Sequence, residues 1–218
     1  MAAWVEAYTF GMVQNNAFVS KYKKPADNDL PQMLVASWVY HLPFGPGKKF
    51  INSTNPVVRQ AVGGWRLAAI QRYQSGGIIN VSQSKVSIPG FKGIWPDRVL
   101  GVPIGTAVSC GNYDPGNPAT NKYLNVAAFA DPPLFHWGNT KTLPSKRMCG
   151  YFNEDVSLQK EFQIHERLSL EIAADAQNLF NRHAWTGLGT NIDAVAGFGQ
   201  FTGTTGPRLM QLHMKFVF

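Results

Sequence analysis

Glu171 and Asp175, two carboxylates four residues apart within Arg167–Gln177, are the first pair to test for chemistry. Acid–base hydrolysis of a glycoside needs two carboxyl groups about 5–9.5 Å apart. On a strand, residues four apart sit roughly 13 Å apart at about 3.3 Å per residue. The pair therefore reads as polar wall residues meeting Arg167 and cross-strand partners. His213 shares a face with Gln211 and Lys215, and His41 closes another alternating run. Neither has a second ligand at metal spacing, so both also read as wall residues. His136 stands between Phe135 and Trp137 in a long connection, where exposed aromatics could contact a sugar or a peptide. Packing within the loop is the commoner use of such a cluster. These three are the candidates for ligand contact.

Other motifs carry less. Asn112 and Asp114 could touch calcium, but the DxDxDG pattern of a calcium loop is missing. Asn52-Ser-Thr and Asn80-Val-Ser match glycosylation sequons. Gly197–Gly203 lacks the spacing and following helix of a dinucleotide fingerprint. There is no nucleophile elbow and no phosphate-binding loop, so no cofactor, metal or catalytic residue is expected. Cys110 and Cys149 have no Cys or His neighbour at zinc spacing. In an oxidising compartment they would close a loop of about 40 residues, stabilising by roughly 3–4 kcal/mol; otherwise they are two buried thiols.

The elements that must position these residues are strands. In Arg167–Gln177, Leu168, Leu170, Ile172, Ala174 and Ala176 share one face, opposite Arg167, Glu171, Asp175 and Gln177. Asp155–Ile164 repeats this, with Val156, Leu158, Phe162 and Ile164 on the apolar face and Lys160 as the exception, placed to snorkel at an interface. Gln163–Glu166 reads as a tight hairpin turn. Gln32–Leu42 and Trp65–Tyr73 alternate similarly, and Trp4–Met12 does so weakly. The carboxy-terminal run puts Met210, Leu212, Met214, Phe216 and Phe218 opposite Gln211, His213 and Lys215. A chain that ends on such a strand, at an aromatic residue, is typical of outer-membrane barrels.

The bulk properties agree. Charged residues are only 15% of the chain and aromatics 12%, against about 25% charged for ordinary soluble domains. No run approaches the roughly 20 apolar residues of a spanning helix. A net charge of +7 could suggest nucleic acid. However, Lys21, Lys23, Lys24, Lys48 and Lys49 are dispersed over loops, and no basic helix or stripe appears. The predicted fold is all-β: about six antiparallel strands of a transmembrane barrel segment, an open curved sheet by itself, because roughly eight are needed to close.

With the carboxy-terminus on the periplasmic side, Gln163–Glu166 and Pro43–Val62 are periplasmic. Asn15–Pro31, Ser82–Gly150 and Asn181–Pro207 are external, matching the usual short-inside, long-outside asymmetry. The first residues lack the basic and apolar regions of a signal peptide. The chain is therefore expected to start in mid-protein.

Several motifs resemble the carboxy-terminal barrel of TonB-dependent receptors, specifically the Oar-like group. They are Leu42-Pro-Phe-Gly-Pro-Gly-Lys-Lys-Phe50, Gly63-Gly-Trp-Arg-Leu67, Tyr73-Gln-Ser-Gly76, Pro96-Asp-Arg-Val-Leu-Gly101 and Tyr123-Leu-Asn-Val-Ala-Ala-Phe129, followed by Asp155–Phe162, Ala176-Gln-Asn-Leu-Phe-Asn181, Phe198-Gly-Gln-Phe201 and Pro207–Phe218. Each is weak alone; their order and spacing from about Gln32 onward carry the resemblance.

It implies a barrel of about 22 strands with an amino-terminal plug, importing bulky ligands with energy relayed from the inner membrane. Residues 1–218 would be its carboxy-terminal portion, without the plug or earlier strands. Expected partners are outer-membrane lipid, the missing plug and strands, the energy-coupling protein through that plug, and the barrel-assembly machinery. That machinery would read Phe216 and Phe218. Arg167, Glu171, Asp175, Gln211, His213 and Lys215 would line the lumen, and no enzymatic activity or nucleic acid is implied.

On these assignments, charge at Leu170 or Ile172 should be tolerated far worse than charge reversal at Glu171 or Asp175. A soluble all-β module binding carbohydrate or peptide at Phe135–Trp137 is the rival. It would bury its apolar faces together, whereas a barrel segment turns them all outward.

Overall fold

A computed structural model describes residues 26–51, 55–85, 87–90, 95–165 and 167–218. The expected strand Trp4–Met12, most of the connection Asn15–Pro31, and Lys21, Lys23 and Lys24 lie outside the described residues. In chain order the elements are β1 (Met33–His41), α1 (Pro56–Val62), β2 (Trp65–Gln74), β3 (Ile78–Asn80), β4 (Asp97–Arg98), β5 (Phe129–Ala130) and β6 (Thr142–Arg147), then β7 (Tyr151–His165), β8 (Leu168–Gln177), β9 (Trp185–Leu188), β10 (Phe201–Thr204) and β11 (Leu209–Val217).

The long strands are those with period-two alternation, and they form one antiparallel sheet in the order β1-β2-β7-β8-β11. Its register fixes the faces. Trp38 lies opposite Ala69, Ala69 opposite Val156, Val156 opposite Ala176 and Ala176 opposite Met210. One row along, Tyr40, Leu67, Leu158, Ala174 and Leu212 align in the same way. Because the side-chain period is two, all five apolar stripes share one side of the sheet.

No second layer covers that side among the described residues: Leu34 is 60% exposed, Leu212 80% and Met214 68%. A sandwich would have buried these side chains. The sheet is all-β and antiparallel, and it does not close.

Four differences from the sequence reading have physical causes. The connection Pro43–Val62 contains a helix: Asn55 accepts from the backbone N–H of Val57 (2.9 Å) and Val58 (3.4 Å), Pro56 supplies a pre-set φ at the first turn, and Gly63 ends the helix. Arg167 is not on the wall; β8 starts at Leu168, and Arg167 is exposed in the turn before it. Lys160 does not snorkel to solvent: it is 5% exposed, and its ammonium donates to the carbonyls of Gln60 (2.7 Å) and Gly63. Finally, β7 extends outward to Tyr151, which brings Glu154 onto the apolar face.

The largest difference concerns Ser82–Gly150, expected as one long connection. Among the described residues, 75–150, together with 184–205 and 26–32, form a separate compact unit. It is built from short ladders (β3 with β6, β4 with β5, β9 with β10) around Phe198, Ile79, Leu124, Leu143 and Val81, each 2% exposed or less. Strands of two to six residues are too short to show a period, and their apolar residues meet partners far away in sequence.

Candidate functional site

The polar side of the sheet is concave, with a hollow of about 560 Å³ around Ser37, Ala68, Asp155, Ser157, Asp175 and Gln211. Small side chains leave this space: Ala68 and Ser157 pair across β2 and β7 within its lining. Toward the end of the sheet that carries α1, His41, Arg66, Gln159, Glu161 and Glu171 gather around a smaller hollow. Their placement follows from pairing, since His41, Arg66, Gln159, Ala173 and His213 form one cross-strand row.

Two carboxylates on this wall, Glu171 and Asp175, have a side-chain partner on another strand. Glu161 lies directly opposite Glu171, a repulsive contact on its own. Arg66 relieves it, donating to Glu171 Oε2 at 3.2 Å and to Gln159 Oε1 at 2.5 Å, while Lys215 stands opposite Glu171 on the other flank. His213 Nδ1 lies 3.1 Å from Asp175 Oδ2, and Gln211 faces Asp175 in register. Thus five of the six expected lumen residues, Glu171, Asp175, Gln211, His213 and Lys215, line one polar wall. The sixth, Arg167, does not, and Arg66 takes the role assigned to it.

Strand β1 departs from strict alternation by putting Met33, Val35 and Val39 on the polar side, where Val35 and Val39 are more than half exposed. On the opposite side, Glu154 is 2% exposed and pairs with Arg182 Nε at 3.3 Å. The sequence reading started that strand one residue too late to notice this carboxylate.

The compact unit presents the other candidate surface. Cys110 and Cys149 are joined by a disulfide with Cα atoms 5.7 Å apart. Tyr113 and Tyr123, from the larger segment, pack on Trp185 and Phe201 from the smaller one, with ring centroids 4.8 to 5.2 Å apart for the closest pairs. Phe198 meets Phe129 at 5.7 Å. Asp193 accepts the backbone N–H groups of Ser84 (2.5 Å) and Lys85 (2.9 Å), and Lys85 Nζ reaches both Asp131 (2.5 Å) and Asp193 (3.3 Å).

Burial pushes the Asp193 carboxyl up, but those two backbone donors and the Lys85 ammonium outweigh it and hold it below the usual range. Its bond to Asp131, and then Asp193, raises Lys85. Burial lowers Lys122 and Lys146, whose ammoniums donate to the carbonyls of Val195 (3.3 Å) and Val108 (3.2 Å), and raises the Tyr123 phenol.

On this unit, Phe135 is 73% exposed, held at φ 62° with its N–H on Ser87 O (2.8 Å), and Leu134 beside it is 72% exposed. His136 is exposed and Trp137 half-buried. So Phe135 does not pack inside its own loop. Asn112 and Asp114 accept N–H bonds from Ser109 (2.6 Å) and Gly116 (2.9 Å), as turn residues do. No cluster of three acidic, His or Cys side chains suited to a metal occurs among the described residues.

A protein-family model described as "Outer membrane beta barrel domain" matches residues 3–211, almost the whole chain. Neither the curated proteins nor the solved structures contain a match.

Proposed function

We propose a function from one premise: the chain belongs to the outer membrane beta barrel domain family, and its place is the bacterial outer membrane. On that premise it is the carboxy-terminal part of a TonB-dependent receptor barrel of the Oar-like type, which binds and imports a bulky ligand and carries out no chemistry of its own. The concave wall with Arg66, Glu171, Asp175 and His213 faces a plug supplied by the rest of the receptor. Phe216 and Phe218 serve the barrel-assembly machinery, and the energy-coupling protein acts through the plug.

The observation that supports this reading best is the folded external unit. A disulfide-tied unit with its own aromatic core suits a receptor, which needs a shaped surface for ligand contact. Phe135, His136 and Trp137, with Leu134, form the proposed contact patch on that unit.

The reading is tested by ion conductance of the whole receptor, purified from outer membranes into planar bilayers. A plugged transporter stays closed until urea unfolds the plug. A steady open conductance without urea would reject import through a plugged barrel in favour of a passive pore.

A further inference from the structure

The connection between β1 and β2 has properties that the receptor reading does not use. Residues 42–64 contain Lys48, Lys49 and Arg59 and no Asp or Glu. Their large exposed apolar side chains, among the described residues, are Phe50 (47%), Ile51 (56%) and Val57 (75%). The two arms of the connection fold onto each other, because Gly45 lies so close to Gly63 that a Cβ on it would meet the Gly63 Cα at 2.7 Å. Phe44 and Phe50 are bridged, and the Lys49 ammonium stands 5.4 Å above the Phe50 ring.

The end of α1 is tied to the apolar side of the sheet. Trp65 Nε1 donates to Ala61 O at 3.1 Å, and Lys160 donates to Gln60 O and Gly63 O while lying under Trp65 and Phe162. Trp65 and Lys160 are register partners on the lipid-facing side. A basic, acid-free element with apolar tips is thus fastened where the lipid-facing wall ends.

We propose that this element is an interfacial anchor that docks on anionic phospholipid headgroups of the inner leaflet. Lys48, Lys49 and Arg59 meet the phosphates, and Phe50, Ile51 and Val57 enter the acyl boundary. Interfacial elements bind through buried apolar area combined with attraction to anionic lipid. Each cation near such a surface contributes about fivefold in partitioning. A second copy of the element is a poor occupant, since three cations would face three cations with no acid between them. The proposal rests on the outer-membrane reading and on the periplasmic position of this connection, and not on which ligand is imported.

The test uses the whole protein reconstituted in phosphatidylethanolamine vesicles with and without phosphatidylglycerol. Its own cysteines are disulfide-bonded, so a spin label goes only to a new one. Labels at V57C and, as a control on the sheet, at L212C are read for access to oxygen against a water-soluble nickel complex. The expected result is lipid-like access at position 57 when phosphatidylglycerol is present, and about a fivefold loss of that preference for each of K48Q, K49Q and R59Q. Water-like access at position 57 in both vesicles, with position 212 reading lipid, overturns the anchor and leaves the barrel intact. Water-like access at position 212 overturns the barrel reading and the anchor with it.

Discussion

The sheet and the compact unit built from residues 75–150 and 184–205 solve opposite solvent problems with similar residues. The five long strands place Leu, Met, Trp and Phe on a face that the rest of the described chain covers only where α1 and Arg182 reach it, the arrangement of a strand face in an outer-membrane barrel. The compact unit buries Phe198, Leu124 and Ile79 almost completely and adds a disulfide, so it carries its own core. Long alternating strands with an uncovered apolar side mark the part that the membrane completes. Short ladders around aromatic clusters mark the part that must fold on its own terms.

If that contrast is right, damage to one region should leave the other standing. The largest effect should come from F198A, which removes a side chain 1% exposed against Phe129 and should cost the external unit about 3–5 kcal/mol. Protease should then cut within residues 75–150 of intact cells while the barrel keeps its heat-modifiable migration. Loss of both together would erase the distinction.

Replacing both Cys110 and Cys149 by Ser should cost the same unit roughly 3–4 kcal/mol by releasing a loop of 39-residue separation. Reductant should reproduce it on the unmodified protein, read as earlier thermal cleavage. R182A strands the buried Glu154 carboxylate and should cost about 1–3 kcal/mol, more than E154Q, which removes the charge and leaves a neutral amide whose burial costs less. Reversed order in a thermal melt of the barrel would mean that the pair is not what shields Glu154.

The smallest effect concerns pH. The carboxyl of Asp193 is depressed in the folded unit, so its contribution is complete above about pH 4 and lost as pH falls through the lower folded value. The Lys85 ammonium is raised, so its contribution holds below about pH 10 and is lost only as pH rises past that. Limited proteolysis near residues 82–85 and 191–193 should therefore be flat across neutral pH and rise at the acid end. D193N should remove that rise.

The sequence made the sheet legible because β8 and β11 alternate cleanly and the other three long strands alternate with few exceptions, and pairing then places Glu171, Asp175, Gln211, His213 and Lys215 on one wall. Arg167 was misplaced because a turn residue continues the parity of the strand it precedes, and only backbone geometry separates the two. Arg66 was visible as a polar-side residue, but its reach across β7 to Glu171 depends on register.

The helix α1 had a signal that went unused, Asn-Pro at its start and Gly-Gly at its end. The core of the compact unit had almost none: Tyr113 meets Trp185 and Phe201 from 72 and 88 residues away. No local period records such a meeting.

The most direct test of the central claim, that one face of this sheet meets lipid and the other a wet interior, is a matched pair of lysines on neighbouring strands. Ile172 lies on the apolar side and Gln211 on the polar side opposite Asp175. The stability and surface level of assembled barrels would be measured for I172K and Q211K. The lipid-facing lysine should cost about 2–4 kcal/mol if it lies near the midplane and reduce assembly accordingly, while the polar-side lysine should stay within about 0.5 kcal/mol of the parent. Equal tolerance at both positions would contradict the membrane assignment of the faces.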